Sequence, residues 1–208
     1  MKKASLLTAL ILSVLIISLS FSQFACNQTA VQKTDTASAP KELSPEEMIS
    51  RGKYLVTAAA CNDCHTPKIF TPQGPIEDST KLLSGHPASE PILPFDKKVL
   101  QPGNWVLIAP DETAFVGPWG ISFTANLTPD TATGIGTWTE DVFIKAMRTG
   151  KHLGQPGGRQ ILPAMPWYYI ARYTDEDLKS IFAYLKALPP ISNRVPAPVF
   201  PPDVAKLK

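Results

Sequence analysis

One short stretch constrains this chain more than any other: Ala59-Ala60-Cys61-Asn62-Asp63-Cys64-His65-Thr66-Pro67. Two cysteines lie three positions apart, and a histidine follows the second at once. The stretch continues a helical pattern. Ser44-Pro45-Glu46-Glu47 offers an N-cap serine, a proline at the first helical position and a capping-box glutamate, ahead of Met48, Gly52, Leu55 and Ala59 at helical spacing. A zinc ion needs four ligands in a tetrahedron, and although His86 and His152 exist, adjacent Cys64 and His65 fit one such ion awkwardly. A thioredoxin-like redox pair follows a strand within a βαβ surround, whereas this motif follows an alanine-rich helix. A plain disulfide between Cys61 and Cys64 is the bland alternative.

C-x-x-C-H is also the attachment sequence for c-type haem, and each part has a chemical job. Thiols one helical turn apart can add to the two vinyl groups along one porphyrin edge, forming thioethers, and His65 then lies beneath the iron as proximal ligand. The expectation is one covalent haem c. The second axial position separates a carrier from an enzyme. His86, in Ser84-Gly85-His86-Pro87, and His152, in Gly150-Lys151-His152-Leu153, stand in polar loops where histidines are usually exposed. Met48 and Met147 fall on apolar helix faces, where core packing is the default. Met165 differs from all four, because Pro163 and Pro166 stiffen the backbone on either side of it and Trp167-Tyr168-Tyr169 follows. A thioether held on a stiff loop suits low-spin iron, so Met165 is the expected distal ligand ahead of a histidine or an open site.

The amino terminus has to be set apart from the fold. Lys2 and Lys3 precede an uncharged apolar run from Leu6 to Phe21, which reads as an export signal over 1–25. Gln23-Phe24-Ala25 before Cys26 is a degenerate lipoprotein processing site, so the expected anchor is a lipid on Cys26, with ordinary cleavage or an uncleaved helical anchor as the alternatives. The chain has three cysteines, and a lipid on Cys26 leaves none over once Cys61 and Cys64 are used together. Losing Lys2 and Lys3 turns 20 basic against 18 acidic side chains into 18 against 18. A neutral module makes a poor nucleic-acid binder. Residues 26–43, rich in Thr, Ala, Ser and Gln, read as a flexible tether.

Two further helices are legible. Thr137-Trp138-Thr139-Glu140 reads as a capping box ahead of Val142, Phe143, Ala146 and Met147, with Gly150 as the stop. Thr174-Asp175-Glu176-Asp177 opens a helix carrying Leu178, Ile181, Phe182 and Leu185 on one face and ending at Pro189-Pro190. Strand signals are thin. Trp105-Val106-Leu107-Ile108 is the best run, and it supports a hairpin at most. The 21 prolines in 208 residues are roughly double the usual share of about 5%, and many fall in a long irregular insert over 66–125. That insert reads as a cover for the haem edge, using Phe70, Leu82, Ile92, Phe95, Trp105 and Phe115, or alternatively as a docking surface.

With these residues in view, the chain resembles a class I c-type cytochrome over roughly 44–198. Cys61-x-x-Cys64-His65 after one helix, a proline-framed methionine and a final amphipathic helix carry the resemblance. More specifically, Ala125-Asn126-Leu127-Thr128-Pro129-Asp130, Thr133-Gly134-Ile135-Gly136-Thr137-Trp138, Phe143-Ile144-Lys145-Ala146-Met147-Arg148-Thr149-Gly150 and Pro163-Ala164-Met165-Pro166-Trp167 are similar to the cytochrome c subunits of bacterial membrane dehydrogenases. Those subunits often carry two or three attachment motifs, and this chain has one. The resemblance implies haem c on Cys61 and Cys64, iron ligated by His65 and Met165, and single-electron transfer rather than catalysis. It also implies a dehydrogenase or quinol-oxidising donor and a cytochrome or oxidase acceptor, on the periplasmic side of a bacterial membrane. A peroxidase or a haem-based gas sensor is the alternative if the distal position is open or labile. Trp138, Arg148 and Arg159 are candidates for the haem propionates. The fold expected is all-α, with helices from both ends of the domain crossing at Gly52 and a Pro-rich tail over 199–208.

Overall fold

The computed structural model describes residues 42–204 together with Lys206 and Leu207. The expected export signal over 1–25, Cys26 and nearly all of the expected tether over 26–43 lie outside the described residues. Helix α1, Pro45–Ala58, begins at Ser44 with both halves of the capping box made: the serine hydroxyl accepts from Glu47 N–H, and the glutamate carboxylate accepts from Ser44 N–H. Helix α5, Asp175–Ala187, starts at Thr174, whose hydroxyl accepts from Asp177 N–H. The two helices pack directly on each other, and Arg51 on α1 pairs with Asp177 on α5 at 2.6 Å.

Gly52 makes this crossing possible. A Cβ there would stand 1.9 Å from the Ser180 carbonyl oxygen and 2.8 Å from Tyr184 Cβ, so the backbones approach as only a missing side chain permits. Around this contact lies the main apolar cluster, with Val56 from α1, Leu178, Ile181, Phe182, Tyr184 and Leu185 from α5, and Leu83, Ile135 and Phe143 from the chain between. Gly52→Ala is therefore expected to push the two helices apart, at a cost of about 3 kcal/mol for overpacking a close contact. A fall in the denaturant midpoint of the holoprotein checks this.

The remaining helices are shorter. Two residues after α1, the chain forms α2, Cys61–His65. Helix α3, Glu140–Thr149, buries Phe143 and Ala146 and ends at Gly150, and α4, Trp167–Ile170, follows the methionine loop. The cap of α3 is Thr139 rather than the capping box at Thr137-Glu140. Trp138 is still tied in a turn to the Ile135 carbonyl, so the extended cap conformation falls one step later, where Thr139 Oγ1 accepts from Val142 N–H at 3.2 Å.

The all-α expectation is overturned by the segment over 66–125. It holds two antiparallel sheets: a hairpin of β1, Lys68–Thr71, with β2, Gly74–Glu77, and a three-stranded sheet of β3, Leu107–Ile108, β4, Ala114–Gly117, and β5, Gly120–Phe123. Pro118-Trp119 forms the turn between β4 and β5, pairing Gly117 with Gly120. Only the last two residues of the run Trp105–Ile108 are strand. Strands this short are set by pairing across the sheet more than by their own pattern. The carboxyl-terminal stretch adds to the same layer. Val199 bridges Ile121 antiparallel, a Cβ on Gly120 would meet the Val199 carbonyl at 2.1 Å, and helix α6, Pro201–Val204, buries Val204 near β5.

Candidate functional site

Helix α2 presents the attachment motif. Ala60 takes a left-handed conformation, φ 53°, which turns the chain between α1 and α2. Cys61 leans on the apolar cluster, Cys64 is half-buried, and the two thiols are not joined. Burial pushes the Cys61 thiol up to about 11. Cys64 is also raised, by burial first and then by Asp63 and Glu112. Both are protonated thiols at neutral pH, unlike the low-pKa thiolates of redox-active pairs. Among the described residues, no group of three or more His, Cys, Asp or Glu gathers as a metal site would need, so the zinc alternative lacks a ligand set.

His65 is 8% exposed, and its Nδ1 lies 2.8 Å from the Ala125 carbonyl oxygen. A carbonyl can only accept, so Nδ1 carries the proton and the neutral ring keeps its lone pair on Nε2. Burial lowers the pKa of His65, more than the Ala125 bond raises it, so the ring is neutral at pH 7. The main chain around it is clamped as well. Gly85 N–H donates to the His65 carbonyl at 2.8 Å, and the hydroxyl of fully buried Thr66 accepts from Leu83 N–H at 3.0 Å.

Met165 stands half-buried on a loop closed by its own N–H to the Leu162 carbonyl. Two anchors place that loop: Ile161 N–H donates to the Gly150 carbonyl, and Ser122 Oγ donates to the Pro163 carbonyl while accepting from Trp119 Nε1. The segment from Ser122 to Ala125 therefore touches both candidate ligand positions. Ser122 holds the methionine loop, and Ala125, two residues past β5, holds the histidine. Sequence reasoning missed both anchors. Ala125 opens a motif already singled out, but a backbone acceptor has no side-chain signature.

The other candidates separate clearly. His86 is 4% exposed and not the exposed loop residue expected; its Nδ1 meets Thr113 Oγ1 at 2.7 Å and its ring lies on Phe123. His152 is exposed, edge-on to Trp138. Met147 packs against the main cluster. Arg148 is committed to the Ala171 carbonyl and to Asp175, which ties α3 to the start of α5, so it is not free for a propionate. Arg159 makes no ion pair among the described residues. Within the insert, Phe115 is buried and Leu82 packs on the main cluster, but Phe70 is 62% exposed and Trp105 85% exposed, so only part of the expected cover is turned inward. A cavity of about 540 Å³ between the two sheets is lined by Phe95, Ile108, Phe123 and His86 and reaches none of Cys61, Cys64, His65 and Met165.

The residues present fit a covalently held haem. Two unjoined thiols one helical turn apart, a neutral imidazole fixed through Nδ1 with its lone pair on Nε2, and a thioether on an anchored loop form the donor set such a group requires. Comparison with known proteins agrees. The cytochrome c family model matches residues 49–189, and the chain belongs to the cytochrome c family. That family carries haem c covalently and serves in electron transfer. It is 31% identical over 156 residues to the fructose dehydrogenase cytochrome subunit of Gluconobacter japonicus, covering 73% of this chain and 24% of that protein. It is 32% identical over 163 residues to the cytochrome c subunit of the alcohol dehydrogenase (quinone) of Gluconacetobacter polyoxogenes, with 74% and 28% covered. With the gluconate 2-dehydrogenase cytochrome c subunit of Pantoea cypripedii it shares 30% over 139 residues, with 67% and 23% covered. The chain spans about a quarter of the length of these curated relatives.

Proposed function

We propose that the protein carries single electrons through one haem c, attached at Cys61 and Cys64 and ligated by His65 and Met165. The observation that supports this reading is the His65 ring, whose Nδ1 is taken by the Ala125 carbonyl, leaving Nε2 as its lone-pair nitrogen, on the same helical turn as two unjoined thiols. The haem supplies a one-electron couple when bound. The chain's residues would do the rest: Cys61 and Cys64 would hold the porphyrin covalently, His65 and Met165 would ligate the iron, and the apolar cluster beside Cys61 would keep water away. Rigid ligands suit a carrier, because little has to move when the charge changes.

The relatives' names favour a dehydrogenase as donor; the acceptor proposed is a cytochrome or an oxidase. The layout proposed is an export signal over 1–25, a tether over 26–43 and a cytochrome domain over 44–198, held by a lipid on Cys26 at the periplasmic side of a bacterial membrane. Among the described residues no helix is long and apolar enough to cross a membrane. Pyridine haemochrome analysis is expected to give one haem per chain, and the oxidised protein should show the weak near-infrared sulfur-to-iron band and resist low cyanide. A chain without that band that binds cyanide readily would overturn the axial assignment.

A further inference from the structure

Two asparagines tie together the segments that flank the Ala125 carbonyl, and neither side chain bonds His65. Asn126, 4% exposed, uses both ends of its amide. Its Oδ1 accepts from Thr128 N–H at 2.9 Å and from Thr128 Oγ1 at 2.7 Å, and its Nδ2 donates to the Ile191 carbonyl at 2.8 Å and lies within reach of Thr133 Oγ1 and the Asn193 carbonyl. Donors face one end and acceptors the other, which settles the amide orientation. Asn193 is equally committed. Its Nδ2 donates to the Ser84 and His86 carbonyls at 2.8 and 2.9 Å, and its Oδ1 accepts from Ala88 N–H at 3.0 Å.

The segments tied by these amides are the ones that grip His65. The turn over 84–88 supplies Gly85 N–H to the His65 carbonyl and His86 N–H to the Thr124 carbonyl at 3.0 Å. Ala125 sits between Thr124, held by that turn, and Asn126, held by the chain at 191–193. The His65 Nδ1 acceptor is therefore fixed from both flanks by side chains that come together only through the fold.

We infer that Asn126 and Asn193 are positioning residues for the proximal histidine: they hold the Ala125 carbonyl on His65 Nδ1 and so set how much electron density the ring offers at Nε2. A partner that pulls harder on the Nδ1 proton makes the imidazole a stronger donor, which favours ferric iron; a slack partner favours ferrous iron. The inference rests on the reading that His65 is the axial ligand.

The test uses the full-length holoprotein and two readouts, the exchange rate of the His65 Nδ1 proton by NMR and the midpoint reduction potential. Asn126→Ala and Asn193→Ala should each speed that exchange at least tenfold and raise the midpoint. The double variant should shift the midpoint by less than the sum, because both act through one carbonyl. Asn126→Asp keeps the acceptor for Thr128 but loses donation to Ile191, and should fall between wild type and Asn126→Ala. Thr139→Ala is the stability control: it removes the α3 cap and should lower the denaturant midpoint while moving neither readout. Asn126 or Asn193 variants that lose stability but keep wild-type exchange and potential would overturn the inference, as would a Thr139→Ala shift of equal size. Should Asn126→Ala fail to mature, Asn193→Ala decides on the same terms. The underlying reading fails separately: His65 ring signals without hyperfine shifts in the oxidised wild-type protein would exclude it as a ligand.

Discussion

Cys61→Ala combined with Cys64→Ala should abolish haem retention completely: no haem stain on a denaturing gel, and all haem released by acid–acetone. A thioether survives denaturation, whereas the proposed iron ligation through His65 and Met165 would not, so the gel separates covalent attachment from coordination. The loss should extend to the fold, because a group bound only in the folded state contributes its binding free energy to folding. The two single variants should differ. Cys61 leans on the apolar cluster of Val56 and Leu185, so its truncation leaves a gap beside packed side chains as well as a missing bond. Cys64 is half-buried beside Asp63 and Lys68, where a lost sulfur is cheaper. Cys64→Ala should thus keep more folded, single-thioether protein than Cys61→Ala, read as haem stain per amount of chain. Haem extracted freely from the unaltered protein would refute covalent attachment outright.

What could be read from the sequence follows from where each signal resides. The caps at Ser44 and Thr174 and the crossing at Gly52 were legible, because a capping hydroxyl and a missing side chain act within a few residues or along one helical stripe. Thr137 and Thr139 offer the same chemistry two positions apart, and only the turn closed by Trp138 on Ile135 chooses between them. The sheets were missed since β4 and β5 have four residues each and take their register from each other and from Val199, far along the chain. His86 looked like an exposed loop histidine for a related reason: its partner, Thr113, is 27 residues away. The attachment motif was plain, while the groups that aim it, Ser122, the Ala125 carbonyl and the two asparagines, act across distances that no local pattern encodes.

Met165→Ala is the complementary experiment, because it should change the iron and leave the attachment alone. Cys61 and Cys64 lie on α2, whereas the Met165 loop is held from Ser122 and Gly150, so haem staining on a denaturing gel should equal wild type. Loss of the thioether should remove the near-infrared band, convert low-spin iron to a high-spin form and lower the reduction potential, since methionine ligation raises it. The opened position should bind cyanide and carbon monoxide, and slight peroxidase activity should emerge, which is the hazard that a filled sixth position prevents in a carrier. Met147→Leu and His152→Ala serve as controls. The first exchanges one apolar side chain for another of similar volume beside the main cluster, and the second removes an exposed ring that touches Trp138, so both should keep the band. A band that survived Met165→Ala and vanished in either control would move the sixth ligand to that residue. The Ser122 link to Pro163 would then anchor a loop that supplies no iron ligand.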